Sequence, residues 1–184
     1  MAAASFSSIF SSFVPAILLV SLLATPSFSK HDEIVDQVCS KTRNSYYCSL
    51  VLPHSSGVTL PGLASTAVTL AHRNALNLLN RINDAVRDSS NPQTKQDYYS
   101  CNGNVKNAAR ELAKAQQLLR SGNFSGLGTA ATIATAEAEK CLVILDKLPS
   151  DPFNILRSLV LFEHDADIIM VINNMLNKDI LLLG

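Results

Sequence analysis

The sequence predicts an all-α protein, an up-down-up-down four-helix bundle preceded by a short N-terminal helical hairpin and held by two disulfides. Three observations predict it. Apolar residues recur at steps of three and four through four long stretches. Sheet signals are scarce: Asn102-Gly103 falls inside a helical pattern, not between alternating runs. Four cysteines stand where two staples would suit such a bundle.

The first element is a short helix from His31 to about Lys41, with Ile34, Val35 and Val38 as its apolar side. Asn44 is placed to cap a second helix from Ser45 to Leu52, which Pro53 stops. The turn Lys41-Thr42-Arg43 makes the pair a hairpin too short to stand alone. A disulfide between Cys39 and Cys48 would tie its ends. Pro61 opens the first long helix, where its missing N–H costs nothing. Its seam is Ala64, Val68, Ala71, Ala75, Leu78, Ile82 and Val86, and residues 88–92 end it. The second long helix starts near Thr94, with Tyr98, Cys101, Val105, Ala108, Leu112, Ala115 and Leu119 as its seam. Residues 121–126 break the pattern. The third carries Ala130, Ala134, Ala138, Cys141, Leu145 and Leu148, and Pro149 and Pro152 end it. The fourth runs from Phe153 to about Lys178 on Ile155, Leu159, Phe162, Ala166, Ile169, Ile172 and Leu176.

Short connections make successive helices antiparallel. Cys101 and Cys141 are symmetric about residue 121, at the edge of the break, and both lie on seams. A bond between them would join the second and third long helices. Four cysteines allow three pairings; this one, with Cys39–Cys48, is the favoured pairing.

Compartment follows from the N-terminus. Residues 1–29 carry no charged side chain, contain a short apolar core at residues 14–24, and end in Ser27-Phe28-Ser29. That pattern predicts a signal peptide over 1–29, cleaved after Ser29. The stretch is too short and too rich in serine for a membrane anchor. The mature chain, 30–184, is expected to form one domain, with the hairpin extension at 30–58 and the bundle at 59–184. Its 15 basic and 15 acidic residues cancel, which excludes a basic nucleic-acid binder or a polybasic membrane protein.

Catalytic motifs are wanting. Gly126-Leu127-Gly128-Thr129-Ala130-Ala131 matches a dinucleotide fingerprint, but a helix precedes it instead of a strand. Its glycines read as a flexible loop and helix entry. Glu163-His164-Asp165-Ala166-Asp167 offers metal-ligating types, yet His164 has Ile168 at i+4 and no second ligand, so a solvated helix face is expected. The cysteine spacings suit neither a metal clip nor a redox pair. No enzyme, metal site or cofactor is predicted. Asn123-Phe124-Ser125 is an N-glycosylation sequon, which makes Asn123 a candidate acceptor.

These features resemble the plant inhibitors of invertase and pectin methylesterase. Val38-Cys39-Ser40-Lys41-Thr42-Arg43-Asn44 followed by Cys48 resembles that family's first cysteine segment. Leu70-Ala71-His72-Arg73-Asn74-Ala75 resembles its L-A-x-x-N-A helix segment, and Cys101 and Cys141 fall at its third and fourth cysteines. Two departures stand out: Asn102-Gly103-Asn104-Val105 follows the third cysteine where the family has an acidic residue and a tyrosine, and Glu139-Lys140 replaces Asp-Thr before the fourth. The resemblance implies a secreted, non-catalytic inhibitor in the apoplast or vacuole, which needs no cofactor. Its partner would be pectin methylesterase, or alternatively acid invertase. Invertase inhibitors present a Pro-Lys-Phe loop between the second and third long helices. Here only Phe124 corresponds, so pectin methylesterase is the favoured target, its cleft covered in a one-to-one complex. From helical phase, the candidate contact residues are Tyr99, Asn102, Lys106 and Arg110 on one helix, Thr132 and Glu139 on the next, and Phe124 between them. A carrier of small apolar ligands or a structural wall protein is the reading of another class.

Overall fold

The computed structural model describes residues 32–183, apart from Ser56 and Pro149. The expected signal peptide lies outside the described residues. Among the described residues six helices follow in order: α1 (Asp32–Cys39), α2 (Ser45–Val51), α3 (Leu60–Asp88), α4 (Pro92–Arg120), α5 (Phe124–Leu145) and α6 (Ile155–Leu183). The four long helices form a ring in which each packs on its sequence neighbours and α6 closes back onto α3. The hairpin α1–α2 rests on α6.

The stepped residues form the core. Ala64, Val68, Ala71, Ala75, Leu78 and Ile82 of α3 are buried, as are Tyr98, Cys101, Val105, Ala108, Leu112 and Ala115 of α4. The α5 and α6 seams are buried too, from Ala130 to Leu145 and from Ile155 to Leu176. The small alanines let α5 approach its neighbours closely, while Phe162, Ile168, Ile169 and Ile172 of α6 fill the interior with larger side chains.

Capping explains where the helices begin. Asn44 Oδ1 accepts from Tyr47 N at 2.9 Å and starts α2. Thr59 caps α3, with Pro61 in the first turn. The start expected near Thr94 falls two residues earlier: Asn91 Oδ1 accepts from Gln93 N and Thr94 N, and Pro92 becomes the first helical residue. Asp151 accepts from Ile155 N and Leu156 N at the start of α6. The fourth long helix continues beyond Lys178 to Leu183.

The break between α4 and α5 is shorter than expected. Only residues 121–123 interrupt the helices. Gly122 takes φ +70°, the left-handed conformation that ends α4, and Asn123 N returns to Leu118 O at 2.9 Å. Asn123 Oδ1 then caps α5 through Gly126 N. Gly126 and Gly128 are therefore helical, not part of a flexible loop.

Both disulfides join the favoured pairs. Cys39 and Cys48 close the hairpin with Cα atoms 5.4 Å apart. Cys101 and Cys141 tie α4 to α5 at 4.5 Å. On the chain-entropy model the two loops contribute about 2.7 and about 3.9 kcal/mol.

Candidate functional site

The α4–α5 pair presents most of the residues singled out from helical phase. Tyr99 is 66% exposed, and Lys106 and Arg110 are also exposed. Asn102 is half-buried and donates to Asn83 Oδ1 of α3 at 2.6 Å, so this row leans toward α3. Arg110 donates to Asn107 on its own helix. On α5, Thr132 and Glu139 are exposed. The Thr132 hydroxyl lies 3.4 Å from Met170 Sδ of α6, so this row leans the other way. The two rows do not merge into one patch. They form the two flanks of the α4–α5 edge, which Cys101–Cys141 stiffens.

Phe124 differs from the expected exposed loop residue. As the first residue of α5 it is half-buried and packs against the core. Asn123 beside it is exposed. The α4–α5 connection does not project as an insertable loop: it is a three-residue turn with both neighbouring helices capped.

The α5 flank continues into a groove of about 400 Å³ against α6, lined by no charged residue. Asn173 forms part of its floor, is 7% exposed, and leaves Oδ1 without a hydrogen-bond partner among the described residues. A Cβ at Gly128 would collide with Asn173 Nδ2, so glycine is what lets this amide lie across α5.

The acidic motif on α6 is not a solvated face. Asp165 is 1% exposed. Its Oδ1 accepts from the Tyr47 hydroxyl of α2 at 2.7 Å, and its Oδ2 accepts from Asn74 Nδ2 of α3 at 2.7 Å. Burial pushes its pKa up to about 6, against the hydrogen bonds from Asn74 and Tyr47 and the fields of His164 and Arg73. Burial also raises the Tyr47 phenol, and the Asp165 charge raises it further. Asp167 accepts from Arg43 N at 2.7 Å, and Asn44 Nδ2 lies 3.3 Å from His164 Nε2. The motif docks the hairpin. The L-A-x-x-N-A segment supplies one of its partners, Asn74. Sequence reasoning missed Asp165; the available signal was its place three residues after Phe162 and four before Ile169, a charged residue on the apolar face of α6.

Among the described residues no group of three His, Cys, Asp or Glu could hold a metal, and no helix is long and apolar enough to cross a membrane.

The fold has known counterparts. The chain belongs to the plant invertase/pectin methylesterase inhibitor family, whose sequence model matches residues 33–176. It is 29% identical over 174 residues to a pectinesterase inhibitor of Actinidia deliciosa, covering 92% of this chain and 94% of that one. It is 27% identical over 161 residues to pectinesterase inhibitor 2 of Arabidopsis thaliana, covering 86% and 92%. The fold is similar to the crystal structure of a mutant form of an Arabidopsis pectin methylesterase inhibitor, with TM-score 0.70, 23% identity, and 77% and 95% of the two chains covered. A second crystal structure, also of a pectin methylesterase inhibitor from Arabidopsis thaliana, gives TM-score 0.64 at 24% identity over 78% and 96% of the chains.

Proposed function

We propose that this protein is a secreted inhibitor of pectin methylesterase that closes the enzyme's cleft by a non-covalent one-to-one complex. Both relatives named above are pectinesterase inhibitors. The observation that carries the choice of target is the α4–α5 turn. With Phe124 packed on the core and only residues 121–123 between the helices, the α4–α5 connection offers no loop to insert into a deep active site. What it offers is a stiff edge.

In this reading the α4–α5 edge enters the cleft as a wedge. Tyr99, Asn102, Lys106 and Arg110 meet one wall, and Thr132 and Glu139 meet the other. Tyr and Arg are the residue types that most often carry interface energy. Two helix flanks can supply the roughly 800 Å² per partner of a standard interface. A bundle tied by Cys101–Cys141 loses little conformational freedom on binding, which leaves more of the contact energy as affinity. Asn123, exposed at the end of the edge, is the proposed glycan acceptor.

The test is a titration of residues 30–184, made in an oxidising host, into a plant pectin methylesterase and an acid invertase at mildly acidic pH. Stoichiometric loss of esterase activity alone supports the reading. Loss of invertase activity alone overturns the argument from the turn.

A further inference from the structure

Two hollows meet over the outer face of α3. One, of about 290 Å³, lies between α2 and α3 and has Val51, Leu70 and Arg73 in its lining. The other, of about 340 Å³, lies between α3 and the end of α4, with Gln116, Leu119 and Arg120. Ser65 and Thr69 line both and form the low ridge between them. Ser65, Thr69 and Arg73 succeed one another by fours, so they stand in one row on the helix. From Ser65 to Arg73 the row rises about 12 Å.

The polar groups here have no direct partner among the described residues, although the charge of Arg73 is felt by Asp165. Arg43, Arg81, Arg87 and Arg110 each engage a carboxylate, a carbonyl or an amide. Arg73 and Arg120 have neither an ion pair nor a hydrogen bond among the described residues. Helical Thr66, Thr129, Thr132 and Thr135 return their hydroxyls to the carbonyl four residues back. Ser65 and Thr69 do not, and keep both hydroxyls open to the hollows. No Asp or Glu lines either hollow. On a chain of zero net charge, this is a locally cationic, hydroxyl-lined surface.

We infer that the paired hollows bind a linear polyuronate, a carbohydrate chain carrying a carboxylate on each sugar. Arg73 and Arg120 take carboxylates through planar, charge-assisted pairs. Ser65, Thr69 and Gln116 exchange hydrogen bonds with ring hydroxyls. Val51, Leu70 and Leu119 give the sugar faces an apolar floor. An acidic peptide would satisfy the arginines but would leave the hydroxyl row without its matching partners. The inference stands on this surface alone and does not depend on esterase inhibition by the α4–α5 edge.

Calorimetric titration of the folded protein with a de-esterified oligogalacturonate tests it. The free-acid oligomer binds, and binding weakens steeply toward about 0.5 M salt as the charges are screened. The R73Q/R120Q double variant weakens it by about tenfold or more, the scale of losing charge-assisted contacts. Ser65→Glu, which sets a carboxylate between the hollows, weakens it comparably, and Arg157→Gln on α6 leaves it unchanged. Near-UV circular dichroism establishes native packing of each variant. Equal binding by the double variant overturns the proposal, as does equal binding of the fully methyl-esterified oligomer. Equally tight binding of polyglutamate overturns it in favour of a general acidic-peptide site.

Discussion

The Tyr47 hydroxyl donates to Asp165 Oδ1 at 2.7 Å, across 118 residues of chain, and so fastens the hairpin to the bundle through a buried carboxylate. The other oxygen of Asp165 is held by Asn74. One side chain therefore joins α2, α3 and α6. Asp165→Ala leaves the phenol and the amide unpaired and costs about 3 kcal/mol, the usual scale for stranding partners of a buried charged group. Denaturant unfolding of the variant beside the parent measures it.

The same group sets a pH dependence. Asp165 binds its proton more tightly in the folded state, with a pKa of about 6 against an ordinary value of 3.8. Its contribution is fully present below the ordinary value and is lost as pH rises through about 6. Stability therefore falls with rising pH across that window. Asp165→Asn removes the titration and flattens the profile there. Thermal unfolding at closely spaced pH values checks the slope. An unchanged slope in the variant assigns the dependence to other groups.

Gly128 and Asn173 form a second dependent pair. Gly128→Ala gains helix propensity of up to about 1 kcal/mol, but its methyl must displace the buried Asn173 amide. We expect net destabilisation of about 1 kcal/mol. Asn173→Ala in the same chain relieves the clash and removes the unpaired Oδ1, so the double variant is more stable than Gly128→Ala alone. A double-mutant cycle by chemical denaturation reads the coupling.

The wedge reading predicts losses on both flanks. Tyr99→Ala and Thr132→Arg each weaken esterase inhibition by about tenfold or more, with melting temperatures unchanged. Glu163→Gln, away from the edge, leaves inhibition intact. An effect confined to one flank would replace the wedge by a one-sided contact.

The core was legible because it depends on local periodicity. Steps of three and four placed Ala64 to Ile82, Tyr98 to Ala115 and Ile155 to Leu176 on faces that proved buried. The start of α4 was misplaced because Asn91-Pro92 reads as a stop for α3, whereas asparagine at the cap and proline at the first position also begin a helix. Gly126 and Gly128 read as a flexible loop and helix entry because glycine is a poor helix former. The reason for Gly128 lies on another helix, in Asn173. Asp165 was misread as solvated because its charge was weighed and its phase was not: it stands three residues after Phe162 and four before Ile169, on the buried face of α6, where Tyr47 and Asn74 supply its partners. The flanks of the α4–α5 edge were named residue by residue, but their opposite lean is set by Asn83 and Met170, which helical phase does not place.

The hairpin's attachment has a consequence for how the molecule comes apart. It packs on α6 and is pinned to α3 by way of Asp165, while the ring of long helices closes on itself without it. Cys39–Cys48 keeps α1 and α2 together when they leave. We expect the hairpin to open as a unit while the four-helix ring stays shut, although its Val35, Val38 and Cys48 share the bundle's core. Amide hydrogen exchange should report two tiers, with α1 and α2 exchanging together at a lower free energy than α3 to α6, and Asp165→Ala should lower the first tier more than the second.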